Sequence, residues 1–315
     1  MTSIGCARSG DRWHRQICAE VCVPLRSRWR RWLMLLCLCA SSLSVRAETV
    51  TYPQSGSPGD ARDVYPIKLL QLALDKAGTT PYVLRVSDVP MLQGRSFLEL
   101  AQGKTIRVAW GMTSIERETE LLPIRIPLFK GLQGWRLALV RKDRSEAFDT
   151  VHDVRDLRRF VAGQGNDWPD TDILRGNGIE VLGVTRYESL FRMLSIGRFD
   201  YFPRSLVEIW AEGEQHRKEG IVIDQHLLIR YPTAFYFFTN KSDMRLADTI
   251  RTGLERAIAD GSFDKLFCMQ YAPAIAQAKL ERRTVIDLIN PILPLETPLA
   301  RKELWFAADR CSEKK

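Results

Sequence analysis

The sequence predicts an α/β fold divided into two lobes, and three observations predict it. From Glu48 onward short apolar runs alternate with amphipathic stretches, the mark of helices layered on mostly parallel strands. Residues 48–315 are enough to fill two modest cores better than one. Two β-rich runs, 134–141 and 233–240, stand where one βα series hands over to the next, so they are expected to carry the chain across a hinge.

The elements follow in order. Thr49–Tyr52 reads as a first strand. Ala61–Ala77 reads as a helix with Val64, Ile67, Leu70 and Leu74 on one face and Gly78 as its stop. Strands are expected over 82–86 and 105–110 with a helix around 97–101 between them. After the run 134–141, helices are expected over 153–158, 170–175, 187–196 and 205–217, and strands over 160–162, 180–182, 199–202 and 221–223. Met244–Ala259 has an apolar face and ends at Asp260-Gly261, a glycine C-cap. A short helix with Phe263, Leu266 and Phe267 follows. The tail, broken by Pro291, Pro294 and Pro298, is expected to strap across a lobe. The lobe boundaries read as 48–137 with 238–315 for lobe 1 and 138–237 for lobe 2.

The first 47 residues read as a cleaved signal peptide. Arg26, Arg28, Arg30 and Arg31 precede the apolar run Trp32–Ala40, and Val45-Arg46-Ala47 supplies a small-residue cleavage end. The run is shorter than the roughly 20 residues of a membrane-spanning helix. This places the mature chain in the periplasm. The leader holds eight of the 46 basic residues and two of the 38 acids, so the remainder is close to neutral. The basic excess therefore does not indicate a nucleic-acid partner. Five of the seven cysteines also fall in the leader, and the remaining pair, Cys268 and Cys311, is expected to form one disulfide in an oxidising compartment, with two free buried thiols as the alternative.

Three stretches resemble the family 3 extracellular solute-binding proteins, amino-acid receptors with the type II periplasmic-binding fold. Ala257-Ile-Ala-Asp-Gly-Ser-Phe-Asp-Lys-Leu-Phe267 is similar to that family's helix junction near the domain end. Val108-Ala-Trp-Gly-Met-Thr-Ser-Ile-Glu-Arg117 is similar to its glycine-methionine-threonine stretch ending in arginine. Ser195-Ile-Gly-Arg-Phe-Asp200 is similar to its helix exit. The resemblance implies a clamp with two hinge crossovers that closes on a small solute for an ABC permease, as a monomer and without a cofactor.

It also implies that Arg117, with Ser114 beside it, grips a ligand carboxylate, for which a guanidinium offers a matching planar fork. A surface arginine paired with Glu116, Glu118 or Glu120 is the plain alternative. The run Gly163-Gln-Gly-Asn-Asp-Trp-Pro-Asp170 sits between strand and helix in the second lobe. There Gly163 and Gly165 allow close approach to the backbone, Asp167 or Asp170 caps the helix, and Trp168 offers a flat face to a ligand. The alternative is a capped turn with Trp168 filling the groove. Where the family carries an aspartate for the ligand's amino group, this chain has Ser205, preceded by Arg204. The departure points to a second anionic group on the ligand near Arg204, against the alternative that Arg204 pairs with Glu208 four residues on. Tyr52 and Trp110 are candidate aromatic walls.

Two other functions compete with import. One is a detached sensor reporting occupancy to a membrane signalling protein. The other is a secreted enzyme similar to cyclohexadienyl dehydratase, but His152, His216 and His226 form no catalytic or metal pattern, and no HExxH, GxSxG or CxxC motif is present after residue 47.

Overall fold

The computed structural model describes residues 47–54, 61–78, 81–307 and 311. The signal-peptide expectation falls, apart from Ala47, on residues outside these. Among the described residues no helix is long and apolar enough to cross a membrane.

The first lobe begins with β1 (Glu48–Gln54), parallel to β2 (Tyr82–Pro90), with α1 (Ala61–Ala77) between them in the chain. Leu69, Leu70, Ala73 and Leu74 of α1 are buried, as its period requires, and Gly78 follows at φ +64°. Next come α2 (Gln93–Gln102), β3 (Val108–Met112), α3 (Ile115–Glu120) and β4 (Leu122–Ile124). β3 and β4 flank the later strand β11 (Phe235–Thr239), antiparallel on both sides. β3 lies beside β1, where the Arg107 N–H donates to the Thr51 carbonyl at 2.8 Å. The lobe is closed by α8 (Met244–Ala259) and α9 (Ser262–Gln277). α8 packs against α1 so closely that a Cβ at Gly253 would lie 1.7 Å from the Ala73 carbonyl oxygen. Only glycine permits that approach.

The second lobe is built on a seven-stranded sheet. Its long central member is β5 (Trp135–Arg141), antiparallel to β8 (Tyr201–Ser205), β9 (Ile221–Ile223) and β10 (Leu227–Arg230). β6 (Ala162–Gly165) runs parallel to β7 (Val181–Val184) and β8. The intervening helices are α4 (Val154–Leu157), α5 (Pro169–Gly176), α6 (Tyr187–Ser195) and α7 (Ile209–Gln215). The helix expected from Ser205 starts four residues later, because Ser205 belongs to β8. Arg204 is therefore a strand residue, not one on a helix surface.

The chain passes between the lobes at 125–134 and at 231–234, each just before the strand that the sequence marked as the crossing. The tail departs from the expectation that it stays with the first lobe. It leaves α9 and contributes β12 (Thr284–Asp287), which pairs in parallel with β10 of the second sheet. It then returns: Arg301 holds Glu255 of α8 at 2.6 Å, and the Phe306 N–H donates to the Lys130 carbonyl at 2.8 Å. The Cys268–Cys311 disulfide, with Cα atoms 5.2 Å apart, fixes its end to α9. Val285 and Ile286, flanked by Thr284 and Asp287, make a pattern too short to read as a strand.

Candidate functional site

Where the lobes meet, the two segments with the strongest sequence signals face each other. Ser114, two residues beyond β3, is in extended conformation and caps α3, its Oγ accepting from the Arg117 N–H at 3.2 Å. That cap sets Arg117 in the first turn. Its Nη1 donates to the Met112 carbonyl at 2.7 Å, and its Nη2 donates to Gln93 Oε1 at 3.0 Å and to the Asp167 carbonyl at 3.3 Å. The guanidinium carbon stands 4.4 Å from the centre of the Phe97 ring. Gly111 makes room for this packing, since a Cβ there would lie 2.6 Å from Phe97 and 3.3 Å from Arg117 Nη1.

The acceptors of Arg117 are carbonyl and amide oxygens, none with a formal charge. Burial pulls its pKa down to about 10, only partly offset by the more distant carboxylates of Asp167, Asp170 and Glu116. The expected alternative pairing does not form with Glu118, which binds Arg125 and Thr113 instead.

Opposite lies the loop after β6. Asp167 accepts from the Gly94 N–H of the first lobe at 3.1 Å, so Asp167 holds both Gly94 and, through its carbonyl, Arg117. Neither aspartate caps α5. The Thr171 hydroxyl donates to the Gly165 carbonyl at 2.7 Å, Pro169 fills the first turn, and Asp170 is drawn inward to Arg136 at 2.5 Å and to the Tyr231 hydroxyl. The glycines of β6 that lead into the loop serve rings of the chain itself. A Cβ at Gly165 would stand 2.5 Å from the Trp168 ring, and one at Gly163 would stand 2.2 Å from Phe199. Trp168 is half-buried, stacked on Phe202 at 6.3 Å and near Tyr187.

Arg204 is 3% exposed and pairs with Glu212 at 2.6 Å and Glu208 at 2.8 Å, among the rings of Trp168, Tyr187 and Phe202. Burial pushes the Glu212 carboxyl up, but the Arg204 guanidinium outweighs it and holds Glu212 below the usual carboxylate range. The Tyr187 hydroxyl donates to Glu212 at 2.7 Å, and the Arg62 guanidinium of the first lobe lies 4.3 Å above the Tyr187 ring. Ser205 is fully buried and donates to the Leu132 carbonyl at 3.1 Å. Tyr52 and Trp110 are neighbours, 5.7 Å between rings, and Trp110 Nε1 donates to Asp63 at 3.3 Å.

The structure thus brings Arg117, Ser114, Asp167, Gly165 and Trp168 to one junction. Arg204 joins them through Trp168, while Ser205 faces the crossing segment and Tyr52 and Trp110 lie against α1. Sequence reasoning missed Glu212, Tyr187 and Gln93. The spacing Arg204, Glu208, Glu212 was the available signal for the first. Among the described residues no group of three or more His, Cys, Asp or Glu side chains is placed to hold a metal ion.

No protein-family model and no curated protein matches this sequence. Solved structures do match in fold. An ancestral arginine-binding protein bound to arginine superposes with a TM-score of 0.54 at 19% identity, over 71% of this chain and 98% of that one. A periplasmic His/Glu/Gln/Arg/opine family-binding protein from Silicibacter pomeroyi, in complex with lysine, gives a TM-score of 0.54 at 11% identity, over 71% and 97%. A histidine kinase sensor domain similar to periplasmic binding proteins gives 0.52 at 16%, over 71% and 96%. The chain has the two-lobed, type II periplasmic-binding fold, in agreement with the architecture expected from its sequence.

Proposed function

We propose that this chain is a periplasmic solute-binding protein for ABC-type import, closing on a small carboxylate-bearing solute that Arg117 grips. One observation carries the reading: Arg117 is the guanidinium at the junction whose hydrogen bonds go only to uncharged oxygens, whereas Arg204 and Arg136 are answered by carboxylates. A partly desolvated cation without an ionised partner is a ready site for an anion, and a carboxylate can take the place of the Gln93 and Asp167 oxygens at Nη2, its second oxygen accepting from a neighbouring N–H of the fork. Ligands named for the structural neighbours, arginine and lysine, carry such a group.

Arg204 does not support a second anionic group on the ligand, because two carboxylates already outnumber its charge. The hinge in this reading is formed by 125–134 and 231–234, and the lobes open by parting Gly94 and Arg117 from Asp167. The test is calorimetric titration of the wild type and Arg117→Ala with arginine, glutamine, glutamate and succinate. We expect at least one to bind the wild type and to bind the variant on the order of 100-fold more weakly. Equal affinity for both proteins would remove Arg117 from the site.

The sensor reading draws on the likeness to a histidine kinase sensor domain, comparable in TM-score to the binding proteins. Closure serves either output. Crosslinking of the ligand-loaded protein in membranes separates them: a permease subunit as the captured partner supports import, a kinase or cyclase supports sensing.

A further inference from the structure

Between α9 and Cys311 the tail passes from the first lobe to the second and back. Arg283 is buried and fixes the outward passage, donating through Nε to the Ala278 carbonyl at 2.7 Å and through Nη1 to the Asp224 and Leu227 carbonyls at 2.8 and 3.0 Å. β12 then joins β10, and Arg230 holds Asp287 across that pairing in a bidentate bond. Ile289 exchanges two hydrogen bonds with Asn177 at the end of α5: its N–H donates to Oδ1 at 3.0 Å, and its carbonyl accepts from Nδ2 at 2.8 Å. To this point the tail belongs to the second lobe.

At Ile292 it meets the first. The Ile292 side chain packs against the cluster that contains Tyr231, Ile286 and Leu288, while its carbonyl accepts from the N–H of Ile115 at 3.1 Å. Ile115 opens α3, the helix of Arg117, and α5 follows the loop of Asp167 and Trp168. Residues 289–292 therefore join the supports of both faces of the junction. The span 293–300 carries Pro294 and Pro298, which limit its slack, and it ends on anchors of the first lobe. These are the Arg301 pair with Glu255, the Phe306 bond to Lys130 and the disulfide to α9. A rotation of the lobes about 125–134 and 231–234 must break the Ile115–Ile292 bond and then draw on the length that 293–300 holds.

We propose that the tail is a strap that biases the ligand-free lobes toward closure and sets how far they part, with the Ile115–Ile292 bond as its clasp. This does not depend on which solute the junction takes. The sequence position of the clasp lets it be removed alone. Ile115 is 56% exposed, follows Ser114 at φ −150° and ψ 161°, and holds the first helical position, where proline fits without strain and lacks only the donor.

The test is double electron–electron resonance on the ligand-free full chain. Spin labels are carried on noncanonical amino acids at exposed Leu98 of the first lobe and exposed Ile196 of the second, so that both cysteines stay bonded. The wild type is expected to show a major closed distance and a minor open one. Ile115→Pro is expected to raise the ratio of open to closed roughly fivefold, the weight of one net hydrogen bond. Ile115→Ala keeps the N–H and is expected to match the wild type. A Gly-Ser-Gly-Ser insertion between Leu295 and Glu296, both exposed, leaves every anchor in place and is expected to move the open distance outward. The proposal is overturned if Ile115→Pro matches the wild type, if Ile115→Ala opens as much as the proline variant, or if the insertion leaves the open distance unchanged. Should Ile115→Pro fail to fold, the insertion decides.

Discussion

The guanidinium of Arg204 donates to the carboxylate of Glu212 through Nε at 2.7 Å and Nη2 at 2.6 Å, and neither residue is more than 7% exposed. Removing one partner of a buried pair leaves the other charge stranded, a loss of about 3–5 kcal/mol. Glu208 stays in place at 2.8 Å, and the amide oxygen of glutamine still offers Tyr187 an acceptor while the amide nitrogen replaces the oxygen that faced Arg204 Nε, so Glu212→Gln is expected to cost less, about 2 kcal/mol. Urea unfolding of wild type and variant at neutral pH measures it.

The same pair sets a pH dependence. The Glu212 carboxyl is held below its ordinary 4.5 in the folded chain. An acid with a depressed folded pKa contributes stability that is complete above its unfolded value and is lost as pH falls through the folded one. The stability gap between wild type and Glu212→Gln is therefore expected to be constant from pH 7 to about 5 and to close at lower pH. A gap that persists unchanged to pH 2 contradicts the assignment.

Reduction tests the tail. The Cys268–Cys311 bond closes a loop of 43 residues in sequence separation, for which chain entropy gives roughly 3–4 kcal/mol of stabilisation. Melting of the Cys268→Ser/Cys311→Ser variant is expected to fall by several degrees.

Much of this architecture is legible in the sequence because the signals are local. The period of Leu70 and Leu74, the stops at Gly78 and Gly261 and the apolar runs of β5 and β11 each report their own element. What stays hidden depends on partners distant in the chain. Ser205 continues β8 because Arg136 of β5 pairs with it, and β12 exists because β10 offers an edge. The junction is half legible for the same reason. Arg117 is marked by its motif and Asp167 by the run Gly163–Asp170, but Gln93, 24 residues from Arg117, carries no motif, and nothing local in either marked segment reports that Arg117 and Asp167 meet across 50 residues. Gly163 and Gly165 read as room for a guest, but rings of Phe199 and Trp168 occupy that room, a distinction no spacing encodes.

Gly253 offers a test of packing that is independent of function. The helices α1 and α8 approach so closely there that alanine places its Cβ against the backbone of Ala73, which has no flexible end to yield. Overpacking of this kind typically costs 1–3 kcal/mol, and a backbone obstacle puts Gly253→Ala near the upper end, about 3 kcal/mol. Alanine's better helix propensity, worth about 1 kcal/mol, opposes it without reversing the sign. Thermal unfolding of the single variant measures the balance, and a stabilised protein shows that the helices are farther apart than described.

Asp167 touches the first lobe twice, through its carboxylate to the Gly94 N–H and through its carbonyl to Arg117. Asp167→Ala removes the first bond and leaves the second, so Arg117 keeps its neighbours while the closed arrangement loses one charge-assisted bond of roughly 1–2 kcal/mol. If the lobes exchange between open and closed forms, that loss moves the ligand-free protein toward the open form and leaves each lobe intact. Small-angle scattering is expected to show a larger radius of gyration for the variant without ligand, converging on the wild-type value when a ligand found by titration is saturating. Affinity is expected to fall by roughly tenfold, since binding must then restore closure as well as fill the site. Identical scattering of the two free proteins, with affinity unchanged, removes Asp167 as a latch and leaves Arg117 alone to hold the lobes to the solute.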